Sequence, residues 1–221
     1  MNTIIWRILS VFEAILDTIL PLRARAARTK KRTLEEIRLC PTPHDLLGTT
    51  ITTLMDYKNS EVQDLIQSLK YDKTKHAAEL CAEALADYLR EELGQERTFG
   101  AKNIFLIPIP LHASRARERG YNQIGIVLDR LPKEFRDGSL ATLAPTLLAR
   151  TRETKAQTRL SRHERLSNVA GAFELSEGSS VENTHIYLID DVTTTGATIA
   201  EAAKALQKSG AEVTALALAH A

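Results

Sequence analysis

The sequence has little cysteine, and its cysteines are poorly spaced for a metal site or a disulfide framework. Two cysteines, Cys40 and Cys81, occur in 221 residues, and no Cys-x-x-Cys pair is present. Two separated thiols cannot supply the four ligands of a structural zinc site, and the 6 histidines show no ligand spacing. The sequence therefore predicts no structural zinc and a reducing compartment, which favours a cytoplasmic location.

A long apolar run and an excess of charge of one sign are also missing. No stretch reaches the ~20 apolar residues that span a bilayer. Lysine and arginine total 29 against 28 aspartates and glutamates, so the formal net charge is +1. A wholly basic nucleic-acid-binding protein is therefore not indicated, although local basic patches are compatible with this balance. Hydrophobic residues make up 43% of the chain, which is ordinary globular usage and argues against wholesale disorder.

The N-terminal segment joins an apolar helical stripe to a basic tail. Apolar residues recur at helical spacing from Ile4 to Leu20. A secretory signal would carry its basic residues first, so the order argues against one. The segment predicts either a helix packed on the domain or a helix that binds a partner or the inner face of a membrane. We expect packing combined with weak contact to an anionic surface. The basic residues of the tail are Arg23, Arg25, Arg28, Lys30, Lys31 and Arg32.

The rest of the chain changes character near residue 101. Capping boxes at 33–36 and 60–63 and an apolar stripe from Ala77 to Leu89 predict a mainly helical region over 42–100. Some extended chain is expected before these helices. Strands that alternate with helices then predict a parallel α/β sheet covered on both faces, with ligands at the carboxyl ends of the strands. The predicted strands are 103–109, 143–148, 185–189 and 212–218, and the predicted helices are 122–131 and 197–209.

One stretch carries most of the chemistry, Tyr187-Leu-Ile-Asp-Asp-Val-Thr-Thr-Thr-Gly-Ala-Thr198. A helix that begins after a hydroxyl-rich turn offers free backbone N–H groups and a positive dipole end to a phosphate. Gly196 would let the backbone come close to that phosphate. Two carboxylates would repel it and suit sugar hydroxyls or hydrated Mg²⁺ instead. The stretch therefore predicts a ribose 5-phosphate site. Its predicted residues are Asp190, Asp191, Thr193, Thr194, Thr195, Gly196, Ala197 and Thr198.

A simpler interpretation is that Asp191 and one threonine only cap a helix. Capping explains one of the fixed positions and leaves the others without a reason, so we favour the ligand site.

This stretch resembles the phosphoribosyl pyrophosphate motif of type I phosphoribosyltransferases. The chain as a whole resembles the ComF family of competence-associated phosphoribosyltransferase-like proteins. Many members of that family carry N-terminal zinc cysteines, whereas this sequence has the basic stretch Arg23-Ala-Arg-Ala-Ala-Arg28 in their place. The further matching stretches are Tyr57 with 65–71, 107–111, Arg115 with 119–123, Gln157 with Leu160, Arg165 with Asn168, and 171–173.

The resemblance implies a type I phosphoribosyltransferase-like fold. Residues 101–221 would form the core and 42–100 a hood, preceded by the amphipathic and basic segment 1–41. The protein would bind Mg²⁺ and phosphoribosyl pyrophosphate, with Asp190 and Asp191 as catalytic residues and Mg²⁺ ligands. It would transfer the phosphoribosyl group to an acceptor that the sequence does not identify.

The family's link with competence keeps a second function class open. In that class the protein binds the same ligand, or nucleic-acid phosphate, without catalysis and acts in DNA uptake. Its partners would be single-stranded DNA or the competence machinery. The sequence also leaves a homodimer open.

Two basic segments would complete the site. The loop after the predicted strand at 103–109 leads to Arg115 and Arg119, and the resemblance implies that they bind the diphosphate through forked donors. The alternative interpretation is that these arginines lie on a solvent-exposed, positively charged helix face. Segment 150–165 lies where type I enzymes have a mobile loop, which implies a basic lid with Lys155 and Arg159 as catalytic residues. A nucleic-acid contact is the competing interpretation of this lid.

Overall fold

The computed structural model describes residues 21–72, 74–96, 103–114, 117, 120–152 and 168–221. The apolar stripe at 4–20 lies outside these residues, as do Arg115, Arg119, Lys155 and Arg159. The helices are α1 (Pro21–Lys31), α2 (Ser60–Tyr71), α3 (Lys75–Glu96), α4 (Gln123–Leu128) and α5 (Ala197–Lys208). The strands are β1 (Thr42–Leu46), β2 (Thr49–Asp56), β3 (Asn103–Pro108), β4 (Thr142–Leu143), β5 (Leu148–Arg150), β6 (Phe173–Leu175), β7 (Thr184–Thr193) and β8 (Glu212–His220).

Six strands form one sheet in the order β1-β2-β8-β7-β3-β4. The β1–β2 pair is antiparallel and the other neighbours are parallel. The parallel α/β sheet that the sequence predicts is therefore confirmed. The carboxyl ends of β2, β8, β7 and β3 lie at the same edge, which is where such sheets bind ligands.

Two stretches of backbone differ from the sequence expectation. The single strand predicted at 143–148 is two short strands, β4 and β5, because Pro145 lacks the N–H that a continuing ladder needs. Strand β5 pairs instead with β6 in a separate antiparallel ribbon. Strand β2 falls in the range predicted to be mainly helical, yet it pairs with β8 in the main sheet. The first part of the hood range therefore extends the core sheet.

Helices cover both faces of the sheet, as a buried parallel sheet requires. Helices α2, α3 and α4 bury their apolar stripes on one face, and α5 covers the other. Cys81 is fully buried in the α2–α4 layer. The sheet residues under these layers alternate along β7, with Tyr187 and Ile189 facing the α2–α4 layer and Ile186 and Leu188 facing the α5 layer.

Helix α1 packs along α2 through polar contacts. Arg25 Nε and Nη2 each lie 3.1 Å from a carboxylate oxygen of Asp72, and Arg28 makes a similar paired contact with Asp64 at 2.7 and 2.8 Å. The hydroxyl of Thr29, which is fully buried, lies 3.1 Å from that of Ser68. Three arginines of the basic tail are thus used in ion pairs within the chain, since Arg32 also lies 3.7 Å from Asp64.

In the part of the chain that the structure describes, no helix is both long enough and apolar enough to cross a membrane.

Candidate functional site

The predicted phosphate loop lies at the carboxyl edge of the sheet, between β7 and α5. A pocket there is lined by Asp190 and by every residue from Val192 to Ile199. Strand β7 continues to Thr193, whose backbone carbonyl accepts a hydrogen bond from Ala221 N at 3.0 Å. The structure therefore brings Asp190, the threonines and the start of α5 around one cavity.

Asp190 and Asp191 do not share that cavity, although they are adjacent in sequence. Consecutive strand residues point to opposite faces of a sheet. Asp190 lies on the same face of β7 as Leu188 and lines the pocket beside α5. Asp191 lies on the same face as Ile189, which is the face toward α2. Sequence reasoning treated the two carboxylates as one unit, and the strand separates them.

Asp190 lies in an environment that disfavours its charge. Burial, together with the neighbouring charge of Asp191, raises the pKa of Asp190 to about 7, while the charges of Lys70 and Arg150 act in the opposite direction. Its Oδ1 accepts a hydrogen bond from the Asp191 backbone N–H at 2.8 Å. The carboxyl is therefore partly protonated near neutral pH. A ligand that offers hydroxyl donors or positive charge to it would favour the anion.

Asp191 is held by Lys70. The Lys70 ammonium lies 3.1 Å from Asp191 Oδ1, and the same oxygen accepts the Val192 backbone N–H at 2.6 Å. Both side chains are mostly buried, with 20% and 16% of their surface exposed. These contacts also exclude the simple capping interpretation for Asp191, because the residue at the N-cap of α5 is Gly196.

Lys70 is a site residue that sequence reasoning missed, and Arg150 was assigned only to the predicted basic lid at 150–165, not to a contact with Asp190. Lys70 is in the last turn of α2, within a stretch that matched the family but had no role assigned. Arg150 ends β5, its charge acts on Asp190, and its guanidinium lies 5.2 Å from the centre of the Phe173 ring. Neither has a local motif, because each reaches the site from a different element. The available signals were the match of the stretch 65–71 to the family and the positive charge of segment 150–165.

Gly196 is required by packing as well as by the turn. Its φ is +75°, and a Cβ there would lie 2.7 Å from Leu46 Cβ and 2.9 Å from Ile51 Cδ1. The β1–β2 hairpin thus closes over the loop at this position. We expected the glycine to allow approach of a phosphate, whereas the structure gives a reason within the chain itself.

The loop after β3 is anchored at both ends. Ile109 N donates to Ile189 O at 2.8 Å, and Asn122 Nδ2 donates to Ile109 O at 2.9 Å. Asn122 Oδ1 also accepts the backbone N–H groups of Ile124 and Gly125, so Asn122 caps α4. Arg115 and Arg119 belong to this loop but lie outside the described residues.

The donor set suits Mg²⁺ only as a partner of a phosphate ligand. Among the described residues, no group of three or more His, Cys, Asp and Glu side chains could hold a metal ion. Magnesium at phosphate sites usually takes one or two carboxylates and completes its shell with phosphate oxygens and water. Asp190 fits that role, whereas Asp191 is paired with Lys70. The absence of structural zinc stays a prediction.

These features define a phosphoribosyltransferase-like α/β protein. The chain is 31% identical to DNA utilization protein YhgH of Escherichia coli O6:H1 over a 203-residue alignment that covers 85% of this chain and 83% of that protein. It is 33% identical to competence protein F of Haemophilus influenzae over 108 residues, 48% of this chain and 45% of that protein. The chain belongs to the ComF family, together with these proteins.

The comparison with solved structures concerns the fold alone. A hypoxanthine phosphoribosyltransferase from Staphylococcus aureus aligns with a TM-score of 0.37 and 12% identity, over 67% of this chain and 75% of that one. A likeness at this level carries no argument about activity. No protein-family model matches the chain.

Proposed function

We propose that the protein binds phosphoribosyl pyrophosphate at the β7–α5 loop and transfers its phosphoribosyl group to an acceptor. The observation that carries this proposal is the pocket in which Asp190 and residues 192–199 surround the start of α5. Membership of the ComF family supports it. The start of α5 and the threonines suit the phosphate end of a ribose 5-phosphate, and the Asp190 carboxylate suits its ribose hydroxyls.

The residues of the chain have distinct tasks in this proposal. Backbone N–H groups at the start of α5 and the threonine hydroxyls bind the 5-phosphate. The Asp190 carboxylate accepts hydrogen bonds from ribose hydroxyls. Lys70 neutralises Asp191, whose negative charge otherwise disfavours the charged form of Asp190. Arg150 contributes positive charge near the diphosphate, and Arg115, Arg119, Lys155 and Arg159 remain proposed contributors.

Mg²⁺ bound to the diphosphate would neutralise the charge of the leaving group, and Asp190 is the carboxylate that would hold it. The protein groups stabilise charge that develops as the anomeric C–O bond breaks, which is the usual contribution of a preorganised site. The acceptor is not assigned.

Binding can be tested by calorimetry with phosphoribosyl pyrophosphate and Mg²⁺. We expect Asp190→Asn to weaken binding by about 10- to 100-fold, because hydrogen bonds to a charged group contribute about 1.5–3 kcal/mol. Asp87→Asn is the control, since Asp87 is an exposed carboxylate on α3 that pairs with Arg90. Equal affinity of wild type and Asp190→Asn would exclude this pocket as the ribose site.

A second candidate function is a non-catalytic binding protein that acts in DNA uptake. The names of the relatives, DNA utilization protein and competence protein F, favour it. The ligand would be phosphoribosyl pyrophosphate or the phosphates of single-stranded DNA.

Pyrophosphate release separates the two candidates. A panel of nucleobases and amines is incubated with phosphoribosyl pyrophosphate, Mg²⁺ and either wild type or Asp190→Asn. Release that requires both an acceptor and Asp190 supports the transferase. Binding without release, together with competition by single-stranded DNA, supports the second candidate.

A further inference from the structure

We propose that Arg25 in helix α1 is a positioning residue for the ligand site, and that it acts by fixing the Lys70 ammonium against Asp191. The inference rests on the proposed function, because the position of Lys70 affects binding only if this edge of the sheet binds the ligand. The sequence alone predicted packing and anionic contact for this segment and gave it no role in the site.

Arg25 holds α2 on both sides of Lys70. Its Nη1 donates to Gln67 Oε1 at 2.6 Å, and its Nε and Nη2 donate to the two Asp72 oxygens at 3.1 Å. Gln67 precedes Lys70 by three positions and Asp72 follows it by two, so the guanidinium spans the last turn of α2. Residues three apart lie on neighbouring parts of a helix surface.

The Arg25 contact is buried and geometrically specific. The side chains of Arg25 and Asp72 are exposed by only 11% and 9%. A forked guanidinium that meets both oxygens of a carboxylate sets orientation as well as distance. If one partner is removed, the other is left as an uncompensated buried charge. The last turn of α2 would have to move before water could solvate that charge.

Lys70 depends on this turn for its placement. Its ammonium contacts Asp191 at 3.1 Å, and its backbone carbonyl accepts the Tyr121 hydroxyl at 3.1 Å. Apolar side chains of α2, such as Ile66 and Leu69, set how deeply the helix packs. They do not set the direction of a long lysine side chain at its end. The Arg25 contacts do so by holding the residues on either side.

The chain offers a matched control on the same two helices. Arg28 also makes a forked contact from α1 to α2, with Nε and Nη2 at 2.7 and 2.8 Å from the Asp64 oxygens. Asp64 lies more than one turn before Lys70. Loss of the Arg28 contact therefore weakens the α1–α2 interface without releasing the turn that carries the ammonium.

The first experiment is a double-mutant cycle on affinity for phosphoribosyl pyrophosphate with Mg²⁺. Arg25→Ala and Arg28→Ala are each measured in the wild-type and the Lys70→Ala background. We expect Arg25→Ala to weaken binding about tenfold when Lys70 is present and less than about twofold when it is absent, because coupled residues are non-additive. Arg28→Ala should change affinity by less than about twofold in both backgrounds. Equal loss from Arg25→Ala in both backgrounds, or equal loss from both arginine variants, overturns the proposal.

The second experiment needs no phosphoribosyl ligand. Lysine reactivity toward an acetylating reagent is mapped by mass spectrometry, with the exposed Lys75 as internal reference. We expect Lys70 to be labelled several-fold faster in Arg25→Ala than in wild type, and at the wild-type rate in Arg28→Ala. Unchanged Lys70 labelling in Arg25→Ala overturns the proposal. If the wild type binds no phosphoribosyl pyrophosphate, the proposed function fails and this labelling alone decides whether Arg25 positions Lys70.

Folding is checked for every variant by its thermal unfolding midpoint. Should Arg25→Ala fail to fold, Asp72→Asn replaces it, with Asp64→Asn as its control, because these variants remove the carboxylate charge of the same two ion pairs from the α2 side. Asp72→Asn leaves the Arg25–Gln67 contact, and Asp64→Asn also removes the pairing with Arg32. The expected and contradicting results are the same as for the arginine variants.

Discussion

At the scale of single residues, Asp190 and Asp191 differ because a strand directs consecutive side chains to opposite faces. Asp190 faces the pocket and carries the raised pKa, whereas Asp191 faces α2 and is paired with Lys70. The pocket therefore keeps a carboxyl whose charged form is disfavoured by its surroundings. Such a group lowers the stability of the folded protein and is available to bind a ligand.

We predict that Asp190→Asn stabilises the ligand-free protein at pH 8. Because the pKa of Asp190 is about 7 in the folded protein and 3.8 for an unperturbed aspartate, the folded state binds more protons between these values. Stability therefore falls as pH rises through that range, by up to a few kcal/mol at ~1.4 kcal/mol per pKa unit. Urea unfolding should show the variant more stable than wild type at pH 8 and the two similar at pH 4.

Asp191→Asn is the contrasting variant. It removes the partner of a mostly buried Lys70, so it should lower stability at pH 8. Equal effects of the two substitutions at pH 8 would contradict the separate environments of the two carboxyls.

The two cysteines should differ in reactivity. Burial raises the pKa of the Cys81 thiol to about 12 and removes it from solvent, whereas Cys40 is exposed. We predict one reactive thiol per native chain toward a chromogenic disulfide reagent at pH 8, and two in urea. Cys40→Ser should abolish the native reaction. A native reaction that persists in Cys40→Ser would show that Cys81 is accessible.

Gly196 should not tolerate a side chain. Its positive φ and the close approach of Leu46 and Ile51 predict a loss of about 2–4 kcal/mol for Gly196→Ala, from backbone strain and overpacking. Gly94 is the matched control, since it lies in α3 and a methyl group added there would meet no atom within 4 Å. Gly94→Ala should stabilise the protein by up to about 1 kcal/mol. Unfolding free energies from urea titrations measure both changes.

At the scale of secondary-structure elements, helix α1 is tied to α2 by ion pairs and a buried hydroxyl contact. The sequence offered packing and anionic attachment as interpretations of this basic segment. The ion pairs of Arg25, Arg28 and Arg32 support packing for the described part. Attachment to a membrane surface or to nucleic acid stays a prediction.

We predict that deletion of residues 1–32 lowers stability by about 3 kcal/mol or more. The deletion removes the mostly buried Arg25–Asp72 ion pair and the Thr29–Ser68 contact, and it exposes the surface of α2 that α1 covers. Thermal unfolding measures the effect, and binding to anionic liposomes and to an oligonucleotide at two salt concentrations measures attachment. An unchanged unfolding midpoint would show that α1 does not support the fold.

At the scale of the whole molecule, ligand binding should stabilise the protein and protect the predicted lid. Ligand at 100 times its dissociation constant adds about 2.7 kcal/mol to the free energy of unfolding. Residues 151–162 are expected from their charge to be the most protease-sensitive internal segment. They lie mostly outside the described residues. Limited proteolysis with and without phosphoribosyl pyrophosphate and Mg²⁺ tests this, and equal cleavage in both conditions would contradict it.

Local sequence signals were sufficient for the fold class and for the loop that lines the pocket. Hydrophobic periodicity identified β3, β7, β8 and α5, and the run from Asp190 to Thr198 marked the turn between β7 and α5. These features depend on residues close in sequence, which is why a pattern can reveal them. The place of β2 in the main sheet was missed because four of its 8 residues are threonines, which carry a weak apolar signal.

The charges around the loop, in contrast, depend on contacts between distant parts of the chain. Three of these contacts join residues far apart in sequence. They are the pairing of Lys70 with Asp191, the charge of Arg150 near Asp190 and the contacts of Arg25 with α2. No periodicity or spacing encodes such contacts, because they arise when helices pack on a sheet. Local sequence was enough to locate where a phosphate could bind, whereas the packing of α1, α2 and the β5–β6 ribbon sets which charges surround it.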